Sequence, residues 1–267
     1  MTEPIYLAGC TASGKSAVAL ELARRLDGEI ISVDSMQVYR GLDIGTAKPS
    51  RSEQSEIPHH LIDVADLAES FDAARFVRLA RNAEDSILAR GKRVIYCGGT
   101  GLYFKALIAG VGSAPPGDAK VRQELGTLER EEMLLELKAK DPETFTKIDQ
   151  ENPRRLIRAL EVIRLTGRPF SEFQSDWKAE QGGRWFGLER QRKDLVERIN
   201  RRVDAMFEQG LLEETRGLME RGLERNPTSM QAIGYRQVVE HLRGERGLPE
   251  TIELVKIKTR QFAKRQN

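Results

Sequence analysis

The sequence predicts an α/β fold, a parallel sheet covered by helices on both faces and interrupted by an all-helical insertion. Three observations predict it. Short apolar runs alternate with helix-periodic segments through residues 1–114, the pattern of strands joined by crossover helices. A Gly9-x-x-x-x-Gly14-Lys15-Ser16 motif stands between the first apolar run and the first helical segment, so the sheet is P-loop NTPase-like. Past the turn cluster Ser113-Ala114-Pro115-Pro116-Gly117, residues 121–173 have helical periodicity with no credible strand. The expected division is therefore an α/β core, residues 1–114 and 184–267, and a helical insertion, residues 115–183.

The elements follow in order. Ile5, Tyr6, Leu7 and Ala8 form a buried strand, and residues 17–26 an apolar-periodic helix. Residues 29–33 make a second strand that ends on Asp34-Ser35. A Gly-rich loop, residues 41–49, precedes a short strand over 59–64. Residues 71–90 read as a helix, with Phe76, Leu79, Ala80, Ala83, Ile87 and Leu88 at i, i+3, i+4 spacing. Gly91 stops it, and residues 93–97 form a strand landing on Gly98-Gly99-Thr100. In the insertion, Asp141-Pro142 and Asn152-Pro153 are helix starts, an Asx cap followed by Pro in the first turn. Residues 184–188 are a short apolar run that returns to the sheet. Residues 194–267 are helical, broken at Gly222, at Asn226-Pro227 and around residues 244–249.

Composition narrows the function. The chain has 43 Lys+Arg against 41 Asp+Glu, so a polyanion-binding surface must be local. Cys10 and Cys97 are too few for a disulfide framework, have no zinc spacing, and each follows an apolar run, the setting of small core residues. No apolar run approaches the ~20 residues of a membrane span, and no signal peptide precedes the first strand. The expectation is a soluble, cytoplasmic monomer with no obligate protein partner.

The chemistry gathers where strands end, because ligands of open parallel sheets sit at the carboxyl ends of strands. Gly9 and Gly14 let the backbone of Thr11, Ala12 and Ser13 form a nest of N–H groups, and the following helix adds its dipole. Lys15 supplies a point charge for terminal phosphates and Ser16 a hydroxyl for Mg2+. Something bearing at least two phosphates binds there, as phosphoryl donor or as leaving group. Asp34 ends its strand beside this loop as a magnesium holder, a general base or a strand-end cap. The strand ending in Cys97 carries no acidic residue where an ATPase most often keeps one, only the Thr100 hydroxyl. That favours a site where diphosphate is held over one that hydrolyses a nucleotide. Basic residues cluster twice: five arginines with one glutamate over residues 153–168, and Lys256, Lys258, Arg260, Lys264 and Arg265 near the end with no acid among them. A solvated charged face and a nucleic-acid surface both produce this pattern.

Taken together, the motifs resemble the tRNA dimethylallyltransferase (tRNA isopentenyltransferase) family. The resemblance rests on the P-loop, Asp34-Ser-Met-Gln-Val-Tyr39, Asp43-Ile-Gly-Thr-Ala-Lys-Pro49, Pro58-His-His-Leu-Ile-Asp63 and Gly98-Gly-Thr-Gly-Leu-Tyr103. Asn152-Pro-Arg-Arg-Leu-Ile-Arg158, Gly234-Tyr-Arg-Gln237 and Thr259-Arg-Gln-Phe-Ala-Lys-Arg-Gln266 complete it, so it covers essentially the whole chain. It implies transfer of the dimethylallyl group of dimethylallyl diphosphate to the N6 amine of the adenosine 3′-adjacent to the anticodon. It also implies that the P-loop holds the donor's diphosphate, with Mg2+, that Asp34 is the general base, and that Thr100 supports the diphosphate at the reaction centre. By the same resemblance Asp34, Ser35, Met36, Gln37 and Thr100 contact the tRNA, as do Arg122, Arg154, Arg155 and Arg158. So do Gln231, Gly234, Tyr235 and Arg236, and Lys258, Arg260, Lys264 and Arg265 of the last helix. The insertion corresponds to the domain that grips the anticodon stem-loop. Cys10 stands where the family often has proline, at a position that contributes backbone. Family members generally continue past the Lys-Arg-Gln motif with an aromatic-containing segment, whereas this sequence ends at Asn267.

Overall fold

The structure is a computed structural model and describes residues 3–173 and 182–266. Five parallel strands form one sheet in the order β3-β2-β4-β1-β5: β1 (Ile5–Gly9), β2 (Gly28–Val33), β3 (His59–His60), β4 (Arg93–Gly98) and β5 (Arg184–Leu188). Helix α1 (Lys15–Leu26) links β1 to β2, α2 (Arg51–Glu56) precedes β3, and α3 (Ala73–Ala89) precedes β4. Helix α4 (Gly101–Ala109) leaves β4. Then come α5 (Ala119–Leu125), α6 (Arg130–Lys140), α7 (Pro142–Lys147) and α8 (Pro153–Thr166), and, after β5, α9 (Arg192–Glu208), α10 (Leu211–Glu220), α11 (Tyr235–Leu242) and α12 (Leu248–Gln266).

Side chains alternate across a strand, and here the alternation sorts two cores. Ile5, Leu7, Ile30, Ile95 and Cys97 face one way, onto Ala19, Leu20 and Ala23 of α1. Tyr6, Ile31, Val33, Val94 and Tyr96 face the other way, onto Phe76, Ala80 and Ile87 of α3 and Tyr103, Phe104 and Leu107 of α4. Both faces of β1, β2 and β4 are covered, which is why these strands read as apolar runs, whereas edge strand β5 is exposed. Cys10 and Cys97 are buried free thiols. A third cluster joins Cys10 and Ala12 to Leu195, Ile199 and Val203 of α9 and Val255 and Ala263 of α12, so these two helices pack directly against the loop after β1.

Two expected elements differ. The strand expected over residues 59–64 stops at His60, because Leu61 (φ 63°) and Asp63 (φ 56°) turn left-handed. The helix expected from residue 194 onward breaks additionally at Gly210, whose φ of 100° closes α9 and opens α10.

The chain divides into two compact units, residues 1–107 with 181–267, and residues 108–180. The second is helical over its described residues, and its core is Leu125, Met133, Leu137, Leu156, Leu160 and Ile163. Its helix starts are those the Asx-Pro pairs specify: Asp141 Oδ1 accepts from Thr144 N (3.0 Å) and the Asn152 side chain caps α8. Residues 174–181 of the expected insertion lie outside the described residues. No helix among the described residues is long and apolar enough to cross a membrane.

Candidate active site

The site grows from the turn between β1 and α1. Gly14 caps α1 at φ 99°, and Ala12 holds φ 62°, a left-handed conformation uncommon for a residue with a Cβ. That backbone path turns the loop carbonyls outward from the nest, and two arginines take them. Arg198 Nε donates to Ala12 O (2.9 Å) and Arg190 Nε to Ser13 O (2.5 Å). Lys15 Nζ donates to Cys10 O (3.2 Å), and Ser16 is exposed on the first turn of α1. The Ser13 hydroxyl is buried without a partner, an orphan polar group of the kind a ligand oxygen satisfies.

Beside the loop is a cavity of about 440 Å3 lined by Ala12, Gly14, Lys15, Ser16, Arg198, Arg201 and Arg202. No carboxylate is among its lining residues. Burial pulls the Lys15 ammonium below its usual pKa, against the opposing pull of Asp34. Burial also lowers the Arg202 guanidinium, with Arg198 adding to it and Asp34 opposing. Arg202 makes no ion pair or hydrogen bond with another described residue. A buried guanidinium without a partner, such as that of Arg202 here, destabilises the empty protein, and a bound anion offsets that cost.

Asp34 follows β2 directly. Its Oδ1 accepts from Met36 N (2.8 Å) and Gln37 N (3.3 Å), so one oxygen is the cap that strand-end aspartates commonly provide. Oδ2 has no hydrogen bond to another described residue. Asp34 and Lys15 line one small cavity of about 80 Å3, together with Gly98 and Gly99 at the end of β4. This neck shares Lys15, Ser16 and Arg202 with the basic cavity, and Thr11, Asp34, Arg202 and Gln266 with a third cavity of about 360 Å3. The third cavity is more apolar, with Met36, Met206, Ile233, Val255 and Phe262 in its walls and Thr100, Gln231 and Arg265 among its polar groups. Thr100 Oγ1 accepts from Ser35 N (3.1 Å), tying the ends of β2 and β4 together beside the carboxylate.

The loop over residues 41–49 forms a wall and is held from behind. Lys48 is buried, its ammonium on Asp43 (2.7 Å), Asp63 (2.5 Å) and Tyr39 O (2.7 Å). Gln37 Nε2 donates to Thr46 O (3.2 Å) while its Oε1 accepts from Ser32 Oγ (2.9 Å). Tyr235, fully buried, accepts from Gly45 N (3.0 Å) and donates to Glu214 Oε1 (2.6 Å). A Cβ on Gly45 would meet the Tyr235 ring at 2.5 Å, so glycine is required there.

The structure gives several residues of the expected RNA surface partners within the protein. The Tyr235 side chain is core, and Gly234 beside it is buried, its φ of 102° starting α11. Arg260 is occupied by Asn200 Oδ1 (2.7 Å) and Glu253 Oε1 (3.0 Å) and braces α12 against α9. In the helical unit, Arg122 and Arg158 converge on the fully buried carboxylate of Glu161 (2.8 and 2.6 Å), and Arg158 also donates to Pro115 O (2.7 Å). The one glutamate of residues 153–168 is this Glu161, three residues on from Arg158 and therefore on its face. Arg154, Arg155, Lys258, Lys264 and Arg265 are exposed, and Arg236 is exposed with its Nε on Glu240 (3.0 Å).

Arg190, Arg198, Arg201 and Arg202 escaped the sequence reading, and Gln266 entered it only as the end of a motif, with no role assigned. A signal existed for part of this set: Arg198 and Arg202 are four apart, next to the apolar series Leu195, Ile199 and Val203. Nothing local shows that the face they share meets the P-loop.

The family model for IPP transferase matches residues 37–267. The chain belongs to the IPP transferase family. It is 45% identical to tRNA dimethylallyltransferase 2 of Geotalea uraniireducens, over 98% of this chain and 87% of that one. It is 42% identical to the tRNA dimethylallyltransferase of Thermotoga neapolitana, over 97% and 86%. The full-length tRNA isopentenylpyrophosphate transferase of Bacillus halodurans superposes with a TM-score of 0.70 at 41% identity, covering 100% of this chain and 86% of that chain. A eukaryotic dimethylallyltransferase solved acting on tRNA gives a TM-score of 0.83 at 30% identity, covering 100% and 69%. The sheet with its P-loop is thus the fold of a prenyltransferase family. The family match begins at Gln37, whereas the relatives align over nearly the whole chain, P-loop and Asp34 included.

Proposed function

We propose that the chain transfers the dimethylallyl group of dimethylallyl diphosphate to the N6 amine of the adenosine 3′-adjacent to the anticodon in tRNA. The observation that carries this is the neck in which Lys15 and Asp34 face one cavity, between a basic chamber and an apolar one. The diphosphate belongs in the basic chamber, against the P-loop N–H groups, Lys15 and Arg202. The adenine belongs in the apolar chamber and must leave its loop stack to reach it, as bases commonly do for such enzymes.

The adenine amine is a weak nucleophile, its lone pair being delocalised into the ring. As it forms a bond to the allylic carbon, the bond from that carbon to diphosphate oxygen breaks and its electron pair leaves with the diphosphate. The free Oδ2 of Asp34 takes the N6 proton, while Oδ1 stays fixed by Met36 and Gln37. Lys15, Arg202 and the loop N–H groups meet the charge growing on the diphosphate. No group of three or more His, Cys, Asp or Glu side chains among the described residues can hold a metal alone. Mg2+ would fit as a companion of the diphosphate, held on the protein side by the exposed Ser16 hydroxyl, and would supply neutralisation of the leaving group. The helical unit presents Arg154 and Arg155 to the stem phosphates, and α12 presents Lys258, Lys264 and Arg265.

The test is incubation with unmodified tRNA and either labelled dimethylallyl diphosphate or labelled ATP. Label entering tRNA from the prenyl donor is the expected result. ATP turnover with no labelling of tRNA would make the chain a P-loop kinase, and tRNA binding with neither reaction a binding module.

A further inference from the structure

The last turn of α12 reaches the catalytic rim, and one side chain bridges it. Gln266 Oε1 accepts from Thr11 N in the P-loop (2.8 Å), and its Nε2 donates to Gly99 O (2.9 Å), the residue before Thr100. The amide can be placed only one way round, because Thr11 N–H only donates and Gly99 C=O only accepts. The two loops follow adjacent strands, β1 and β4, and no other side chain among the hydrogen bonds of the described residues joins them. A Cβ on Gly99 would come within 2.5 Å of Gln266 Nε2 and 3.1 Å of Gly9 O, so glycine there keeps the space the amide fills. Gln266 also lines both the neck and the apolar cavity.

We propose that Gln266 is a positioning residue for the prenyl donor: its amide fixes the P-loop against the Thr100 loop, and so sets how the diphosphate is held facing Asp34. The proposal rests on the donor assignment made above. Its logic is geometric. The nest must present its N–H groups and Thr100 its hydroxyl to one leaving group, and a displacement of even ~1 Å at such a site costs about 100-fold in rate. Packing of Val255 and Ala263 holds α12 against the loop, so the amide is anchored by a rigid helix.

The experiment compares wild type with Gln266→Ala, Gln266→Glu and Gln266→Asn in the full chain. The readouts are thermal midpoint, affinity for inorganic pyrophosphate with Mg2+ by calorimetry, kcat, and KM for each substrate. Gln266→Ala removes two hydrogen bonds and is expected to raise the donor KM and the pyrophosphate Kd by about 10- to 30-fold, with the tRNA KM within about twofold. Gln266→Glu keeps the length and the acceptor but cannot donate to Gly99 O and adds a negative charge beside the diphosphate. It is expected to be worse than alanine for both donor readouts. Gln266→Asn is too short to span both loops and should resemble alanine. If wild type is active and the variants match it in donor KM and pyrophosphate affinity, the proposal falls alone. It falls alone, too, if they lose thermal midpoint and kcat with an unchanged donor KM, the mark of a merely structural residue. Wild type that neither transfers the prenyl group nor binds pyrophosphate would overturn the functional reading and this proposal with it.

Discussion

Asp34 does two things with two oxygens. Oδ1 accepts two backbone N–H groups, which restrain the side chain at the neck, and Oδ2 is left without a hydrogen bond to another described residue. Asp34→Ala is expected to lower turnover by roughly 10²–10⁴-fold, the range of general acid–base catalysis, with tRNA affinity changed far less. Near-wild-type turnover would remove Asp34 from the mechanism. Arg202 makes the opposite kind of prediction. It lines the basic chamber, the neck and the apolar chamber yet pairs with no carboxylate among the described residues, so it costs stability while the site is empty. Arg202→Ala is expected to raise the thermal midpoint of the ligand-free protein by about 2–4 °C, as a gain near 1 kcal/mol does for a chain of this size. The same variant should bind pyrophosphate about 10- to 100-fold more weakly, the worth of a charge-assisted hydrogen bond. A lower midpoint with unchanged pyrophosphate affinity would make Arg202 an ordinary structural residue. Asp34 was legible because it ends a strand beside a P-loop. Arg202 was not, because its partner surface comes from a loop far away in the sequence.

At the scale of elements, α8 shows how one helix divides its arginines. Arg158 turns inward to Glu161 and Pro115, while Arg154 and Arg155 stay exposed one turn earlier. Replacing Arg154 and Arg155 together by alanine should weaken binding of all substrate tRNAs by a similar factor. It should also flatten the salt dependence by about one unit of slope for each phosphate no longer neutralised. Arg158→Ala should instead lower the stability of the helical unit, by about 1–3 kcal/mol for a missing charge-assisted bond, whatever the RNA. Denaturant titration and salt-dependent tRNA affinity, run on both variants, check the division. Glu161 adds a pH signature. Burial pushes its carboxyl up, but hydrogen bonds from Arg122, Arg158 and Asp118 N outweigh that and hold it below the usual range. A carboxyl whose folded pKa is depressed gives stability that is fully present above its unfolded value, ~4.3, and is lost as pH falls through the folded value. Melts of wild type should therefore lose stability below about pH 4 more steeply than melts of Glu161→Gln. That variant is expected to cost about 2–3 kcal/mol at neutral pH, less than a fully buried pair because Arg122 can turn to water. Parallel acid limbs for the two proteins would discount the cluster. The helix itself and its Asn152 cap were legible from local chemistry. Which arginines stay exposed was not, because ion pairing with a buried acid is a property of packing.

Across the whole α/β unit, one logic recurs: elements from the end of the chain stabilise loops from its beginning. Tyr235 of α11 holds Gly45, Arg198 of α9 holds Ala12, and Gln266 of α12 holds Thr11. Tyr235→Phe is expected to destabilise the protein by about 1–3 kcal/mol, because it strips a partner from Gly45 N–H and from the Glu214 carboxylate at a buried position. Denaturant midpoints measure the loss, and wild-type stability would show that the wall is held by other interactions. The sequence by itself determined the parallel α/β sheet, the P-loop and the rim on which Asp34 and Thr100 sit. Those features follow from local periodicity, from turn chemistry, and from the rule that parallel strands deliver their carboxyl ends to one edge. Only the tertiary structure decided which cations line the basic chamber, which arginines are braces, and why a Cβ at Gly45 would meet the Tyr235 ring. Each of those depends on two surfaces far apart in the chain meeting within a few ångströms, and no local pattern specifies the partner.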